Sequence, residues 1–448
     1  MNRRAALAIA AGLFALFAAR ATLAPAIAAK MASAPASAAA LCEDDAQPPP
    51  PAGPPPEPRE HRRRSASGAE AASASGAVSP DWPGRDVLGG DVPPVRTVAD
   101  PHPTFDGLAI DGENGWVVMS DENRHGLLAY ERTSGDLSDS VTRPVRHLVG
   151  PETFIGFAAG VAVDPARREM YTVNNDGGDK MLVFSYDDDG NAPPRRILNV
   201  PHQSWGISLS RTSDEMALSV QQLHGFVVYK RGAKGTEIPL RTVRGTKTGL
   251  ADPHGIFFDG AHGEIVVANH GNWTELRRYT AYDPLSSGST TYTPGRFDAP
   301  SITVHAAGAT GDAAPLRTIT GARTRLNWPM GLDVDTEHGE IAVANYGDSS
   351  VLVFSRTAQG DAAPLRVIRG AATGIVGLVS VAFDAKRNEL WVANYGDHTA
   401  LVFDRTANGN VEPKRIVRNA PARTPTCGFT NASAAAYDTK RGEILVPN

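Results

Sequence analysis

A Pro-x-Arg triplet opening a short apolar run returns seven times along the chain, with arginines at 96, 146, 196, 241, 317, 366 and 415. The spacings are 50, 50, 45, 76, 49 and 49 residues. Interleaved with it is a second unit: a small residue, alternating apolar residues, an Asp, a turn, and a strand ending in Asn. Gly331–Asp335 leading to Val343-Ala344-Asn345 is one copy, and Ser380–Asp384 leading to Val392-Ala393-Asn394 another. A period near 50 holding several short strands per unit specifies radial repetition of β-sheets.

Each unit reads as four strands. In the cleanest copy these are a (331–335), b (340–345), c (351–356) and d (364–369). Proline at the start of d suits an outer edge, where its missing N–H interrupts no ladder. Small residues begin strand a at Gly107, Gly160, Gly206, Gly255, Gly331, Ser380 and Ala434, as a crowded axis requires. Seven a–b pairs and seven d strands, offset by half a unit, predict an all-β chain. The expected fold is a seven-bladed β-propeller of four-stranded antiparallel blades, closed by the N-terminal strand at 94–98. One unit carries about 30 extra residues between its b strand (264–269) and its c strand (301–306). This insertion, 272–300, is rich in Tyr and Ser, and loops of that length are usually functional or disordered.

The ends read differently. Residues 1–29 carry Asn2-Arg3-Arg4, an apolar stretch from Ala5 to Ala19 and the small-x-small triplet Ala26-Ile27-Ala28. That is the pattern of an export signal, too short and interrupted for a membrane span. Residues 30–90 hold Ala/Ser runs, Pro48–Pro51 and Arg62-Arg63-Arg64, with no periodicity to bury a face, and are expected to form a disordered tether. Residues 91–448 form the propeller. The expected location is therefore periplasmic, cell-surface or extracellular, with no integral membrane segment in the mature chain. Cys42 and Cys427 are the only thiols, and their spacing leaves a bridge between them open. A formal charge of −5 and a pI near 6.2 lack the basic stripe of a nucleic-acid binder.

Val343-Ala344-Asn345-Tyr346-Gly347-Asp348 and Val392-Ala393-Asn394-Tyr395-Gly396-Asp397, each followed by a Val-Phe strand, resemble the YVTN repeat of bacterial surface and secreted propellers. Pro253-His254-Gly255-Ile256 and Pro329-Met330-Gly331-Leu332 resemble the start of NHL repeats. The resemblance spans 91–448 and implies the propeller fold. It leaves function open, because such repeats serve binding modules, lactonases and lyases alike.

In an a-b-c-d meander the d–a and b–c loops share one face, and that face gathers the unusual residues. His102, His202 and His254 come from d–a loops, and His125, His224, His270 and His398 from b–c loops. Trp205 and Met330 occupy the positions equivalent to His254 in adjacent blades, and Trp273 begins the insertion. Imidazoles from neighbouring blades can act as metal ligands or as a general base, but no carboxylate partner is evident, so no metal and no cofactor are expected. The Asp and Asn residues closing the a–b and b–c turns read as turn formers. Asp187-Asp188-Asp189-Gly190-Asn191 aligns with plain c–d turns and lacks the distal Glu of a calcium loop.

Three functions follow for this face. The first is an interaction module binding a small molecule, glycan or protein through His202, Trp205, His224, His254, His270, Trp273 and Met330 on blades three to five, together with the insertion. The second is a lactonase- or lyase-like enzyme with His254 as general base. The third is a structural envelope protein. A buried polar funnel with convergent titratable groups favours the enzyme, and a flat face with exposed aromatics favours binding.

Overall fold

A computed structural model of the chain describes residues 100–448 except 176, 274–295, 425, 427–435, 439–442 and 446–448. The 1–29 leader, the 30–90 tether, the 94–98 strand, both cysteines and the body of the insertion lie outside the described residues. Each period becomes a twisted antiparallel sheet with order a-b-c-d. The a strands are Phe105–Asp111, Ala158–Asp164, Ser204–Leu209, Pro253–Asp259, Pro329–Asp335 and Leu378–Asp384, and these define blades one to six. Strand c of blade four, assigned by register across the insertion, is Ser301–Ala306. Among the described residues no helix is long and apolar enough to cross a membrane.

The blades stack face to face, so both faces of each inner strand are apolar. Val266, Val304 and Ile319 of blade four, for example, pack with Leu332, Ile341 and Phe354 of blade five. Burying such side chains stabilises by about 1.5–3 kcal/mol each.

The expectation of seven blades is corrected. The described residues form six four-stranded blades, and the last a–b pair is only a two-stranded ladder, Ala436–Asp438 with Glu443–Leu445. The ring closes between blades six and one. At each earlier seam a glycine of the c–d turn bridges to the preceding blade's d strand: Gly190 to Leu148, Gly235 to Leu198, Gly311 to Val243, Gly360 to Ile319 and Gly409 to Ile368. At the last seam Asp136 of blade one bridges to Ile416 of blade six, with Asp136 and Ile416 exchanging both backbone hydrogen bonds at 3.2 and 3.0 Å. Phe105, Val117 and Tyr130 of blade one share a buried cluster with Trp391, Val402 and Val417 of blade six.

The repeated arginines supply an ionic counterpart. Arg196, Arg241, Arg317, Arg366 and Arg415 each grip the Glu that opens strand b of their own blade: Glu169, Glu215, Glu264, Glu340 and Glu389. Arg356 reaches from blade five back to Glu264, Arg405 from blade six to Glu340, and Arg132 from blade one to Glu389. Blade one thus carries its own closing devices, a c–d turn and an arginine after strand c, and among the described residues these seal the ring. In blade one Trp116 replaces the Glu, and Arg146 lies over its ring at 6.0 Å.

Candidate functional site

Every a strand breaks register against its b strand at the same place, between the first residue and the fourth or third. A bulge re-aims one side chain, and here it selects one residue per blade: Asp106, Ala159, Trp205, His254, Met330 and Val379. The residue after each is small because the next blade's backbone abuts it. A Cβ on Gly255 would meet the Met330 carbonyl oxygen at 2.6 Å, and one on Gly107 the Ala159 oxygen at 2.2 Å. Trp205, Val379 and Ala159 pack together with Met330, Tyr346 and Tyr395, capping the axis at this end. Below the cap, a cavity of ≈ 660 Å³ lined by first strands of all six blades runs to the a–b turns of the opposite face. The histidine-bearing face is therefore shallow.

A second set surrounds the first, built from the residue after each b strand: Glu122, Asn175, Gln221, His270, Tyr346 and Tyr395. A third position lies two residues before each bulge residue. In blades three to six it is left-handed, with φ of 59° at Gln203, 54° at Asp252, 50° at Trp328 and 59° at Gly377. Gly377 is the unstrained choice there. The side chains in blades three to five are held at a cost of about 1–3 kcal/mol each, and such strain concentrates at functional sites.

Blade four brings all three positions into one cluster. The ligand-capable atoms of Asp252, His254 and His270 lie within 4.8 Å of one another. The His254 and His270 rings stack with centroids 3.5 Å apart and an 18° interplanar angle. Trp328 stacks on His270 at 5.5 Å, and Trp205 leans on His254 at 5.2 Å. His254 is pinned at both nitrogens: Nε2 is 2.6 Å from the Gln221 amide nitrogen and Nδ1 is 3.1 Å from the Asp252 carbonyl oxygen. Asn175 donates to Gln221 Oε1 at 2.7 Å, which turns the Gln221 N–H toward His254 and leaves the His254 proton on Nδ1. The Ser219 hydroxyl donates to the His254 carbonyl and accepts the Gly206 N–H at 2.8 Å, tying blade three to blade four.

Electrostatics follow from this burial. Desolvation, and then the neighbouring His270, push His254 down to about 3. Burial alone would raise the Asp252 carboxyl, but His270, His254 and Asn272 outweigh it and hold Asp252 at about 2. Asp106, in the same set of bulge residues, is pushed up to about 7 by burial, and its Oδ1 has no hydrogen-bond partner.

Of the residues singled out from sequence, His254, His270, Trp205 and Met330 meet here, with Met330 Sδ 3.0 Å from His270 Nε2. His224 and Trp273 stack at 4.0 Å beside them, and His224 Nδ1 accepts the Asp252 N–H at 3.0 Å. His202 pairs instead with Asp179 at 2.8 Å. The base of the insertion forms a ladder of Asn272–Trp273 with Arg296–Phe297, and Arg296 lies 4.4 Å over Trp273. Asp252, Gln221 and Trp328 are absent from the sequence reading. Asp252 corrects the expectation that the histidines lack a carboxylate partner. It precedes His254 by two residues, and an Asp-Pro-His run at a strand entry was the available signal. Asp188 and Asp189 serve turns: Asp188 accepts the Ser185 N–H at 2.6 Å, and Asp189 accepts the His147 N–H across a seam at 2.7 Å.

No protein-family model matches the chain, and no curated protein matches it in sequence. Among solved structures it is similar to a chain of a nidogen/laminin complex, at 15% identity over 70% of this chain and 95% of that one, with a TM-score of 0.43. It is also similar to hydrazine synthase of Kuenenia stuttgartiensis (12%, 80% and 98%, 0.46). A third likeness is to a functionally unknown protein from Desulfotomaculum acetoxidans DSM 771 (15%, 77% and 89%, 0.46). At these identities and TM-scores the likenesses carry nothing about ligand or activity. The propeller implied by the repeat resemblance is present as the ring of blades, while the YVTN or NHL family itself is matched by no family model.

Proposed function

We propose that this protein is an exported interaction module that binds its partner across the shallow face formed by blades three to five. One observation carries the reading: the left-handed entry positions of adjacent blades hold Gln203, Asp252 and Trp328 under strain where glycine would relax it. Trp328 is 44% exposed and stacks on His270, which in turn stacks on His254. Large aromatic side chains with one open face are common anchors of interfaces. The leader-like residues 1–29 support export.

Convergent titratable groups are present and speak for the second reading, catalysis with His254 as base. Three observations weigh against it. A base needs a pKa near the working pH, and burial holds His254 far below that. Both its nitrogens are also engaged, and the large cavity opens on the opposite face.

The test is capture from an oligosaccharide array and a panel of envelope proteins, comparing the wild type with Trp328→Ala and with Leu365→Ala, an exposed residue outside this site. Loss of capture on Trp328→Ala alone supports the reading. Equal capture by all three, or lactone turnover surviving Trp328→Ala but not His254→Ala, overturns it.

A further inference from the structure

We propose that Asp252, His254 and His270 form a site for one divalent transition-metal ion of the zinc type, an inference that rests on the same face being the binding face. The three positions recur in blades three to five, yet only blade four fills all of them with ligands. Blade three has Gln203, Trp205 and Gln221, and blade five has Trp328, Met330 and Tyr346.

One ligand atom from each of the three residues lies within 4.8 Å of the others, so small side-chain shifts bring them into one coordination shell. His270 Nδ1 lies 3.5 Å from Asp252 Oδ2, and His254 Nδ1 lies 3.7 Å from Asp252 Oδ1. These are too long for good hydrogen bonds. Zinc–ligand bonds of about 2.0–2.2 Å arranged tetrahedrally give edges of roughly 3.3–3.6 Å. Met330 Sδ lies 3.0 Å from His270 Nε2, which leaves Nδ1 as the ring nitrogen that faces Asp252. Imidazole and carboxylate donors together suit zinc and its neighbours.

The outer partners are in place. Asn272 Nδ2 donates to Asp252 Oδ2 at 3.1 Å, and His224 anchors the Asp252 backbone. Such partners orient ligands and typically change affinity 10–100-fold when lost. Ligation through His254 Nδ1 moves its proton to Nε2 by way of solvent, and the Gln221 amide turns its oxygen to accept it, giving up the bond from Asn175.

The experiment uses the full chain, stripped with EDTA and titrated with Co²⁺ alone, then with Zn²⁺ alone. One equivalent of Co²⁺ should give the visible bands of four- or five-coordination, and Zn²⁺ should displace it. His270→Ala and Asp252→Asn should weaken uptake by roughly 100-fold or more, beyond the loss of an outer partner, while His262→Ala should not. Asp252→Cys should add a thiolate-to-cobalt charge-transfer band, a gain of signal that loss of folding cannot imitate. No stoichiometric uptake, uptake indifferent to these variants, or no new band in Asp252→Cys overturns the proposal. Partner capture that persists in EDTA by a chain that binds no ion removes this inference alone. Ion uptake without Trp328-dependent capture removes the reading of the face.

Discussion

At the residue scale, the site consists of side chains held where the backbone or the solvent would prefer something else. Trp328 is strained at φ 50° and half-open to solvent, so its side chain contributes little to the core. Trp328→Gly should leave the melting temperature within a few degrees of the wild type, because relief of about 1–2 kcal/mol of left-handed strain offsets the added chain entropy. Partner capture should vanish all the same. His254 behaves differently from the loop histidine expected from sequence. It is buried in a strand, so His254→Ala should destabilise as well as disturb the face, and the two effects need separate measurements. Asp106 gives a signed pH test. Its folded-state pKa is raised to about 7, so its contribution is most favourable below the unfolded carboxylate pKa and is lost as pH rises toward 7. Asp106→Asn should therefore raise the melting temperature more at pH 8 than at pH 4.5, and an equal shift at both would show that Asp106 does not titrate in this way.

At the scale of the element, the Arg–Glu grip on the outer strands explains why the Pro-x-Arg triplet repeats. Arg317 lowers Glu264, and Arg241 lowers Glu215. For Glu169, Glu340 and Glu389, burial pushes upward but the bonded Arg196, Arg366 and Arg415 prevail and hold the carboxyls down. Depressed carboxylates stabilise the fold above the unfolded pKa, and that stability is lost as pH falls through the folded values. The melting temperature should therefore fall steeply below about pH 4.3, and Glu264→Gln should flatten that fall while costing about 2 kcal/mol at pH 7. A melting temperature indifferent to pH between 5 and 3 would contradict the assignment.

The strand pattern was legible because period-2 alternation and turn residues are local, which is why strand c of blade four could be placed across 30 intervening residues. His254, Trp205 and Met330 were legible as equivalents by register. Asp252 and Trp328 were not, because their role comes from a left-handed turn that no residue type announces; only blade six shows the glycine such a turn favours. His202 misled because it shares a loop class with His254, while a local Asp179 claims its ring.

At the scale of the whole molecule, the number of blades depends on which ends meet, and counting repeats could not decide that. Seven triplets suggested an N-terminal strand completing a seventh blade. The closing devices instead lie within blade one, whose Arg132 and Asp136 meet Glu389 and Ile416. That closure makes blades three, four and five neighbours around one capped axis and so assembles the proposed binding face. A covalent cross-link across the seam tests it most directly. Asp136 and Ile416 form a hydrogen-bonded antiparallel pair, whose Cα atoms in general lie about 5.5 Å apart, within disulfide range. In a chain with Cys42 and Cys427 changed to Ser, Asp136→Cys with Ile416→Cys should form an intramolecular disulfide on mild oxidation and raise the melting temperature relative to the reduced form. Two thiols that stay free in the folded, oxidised protein would show that blade one does not meet blade six, and the six-bladed ring would be wrong.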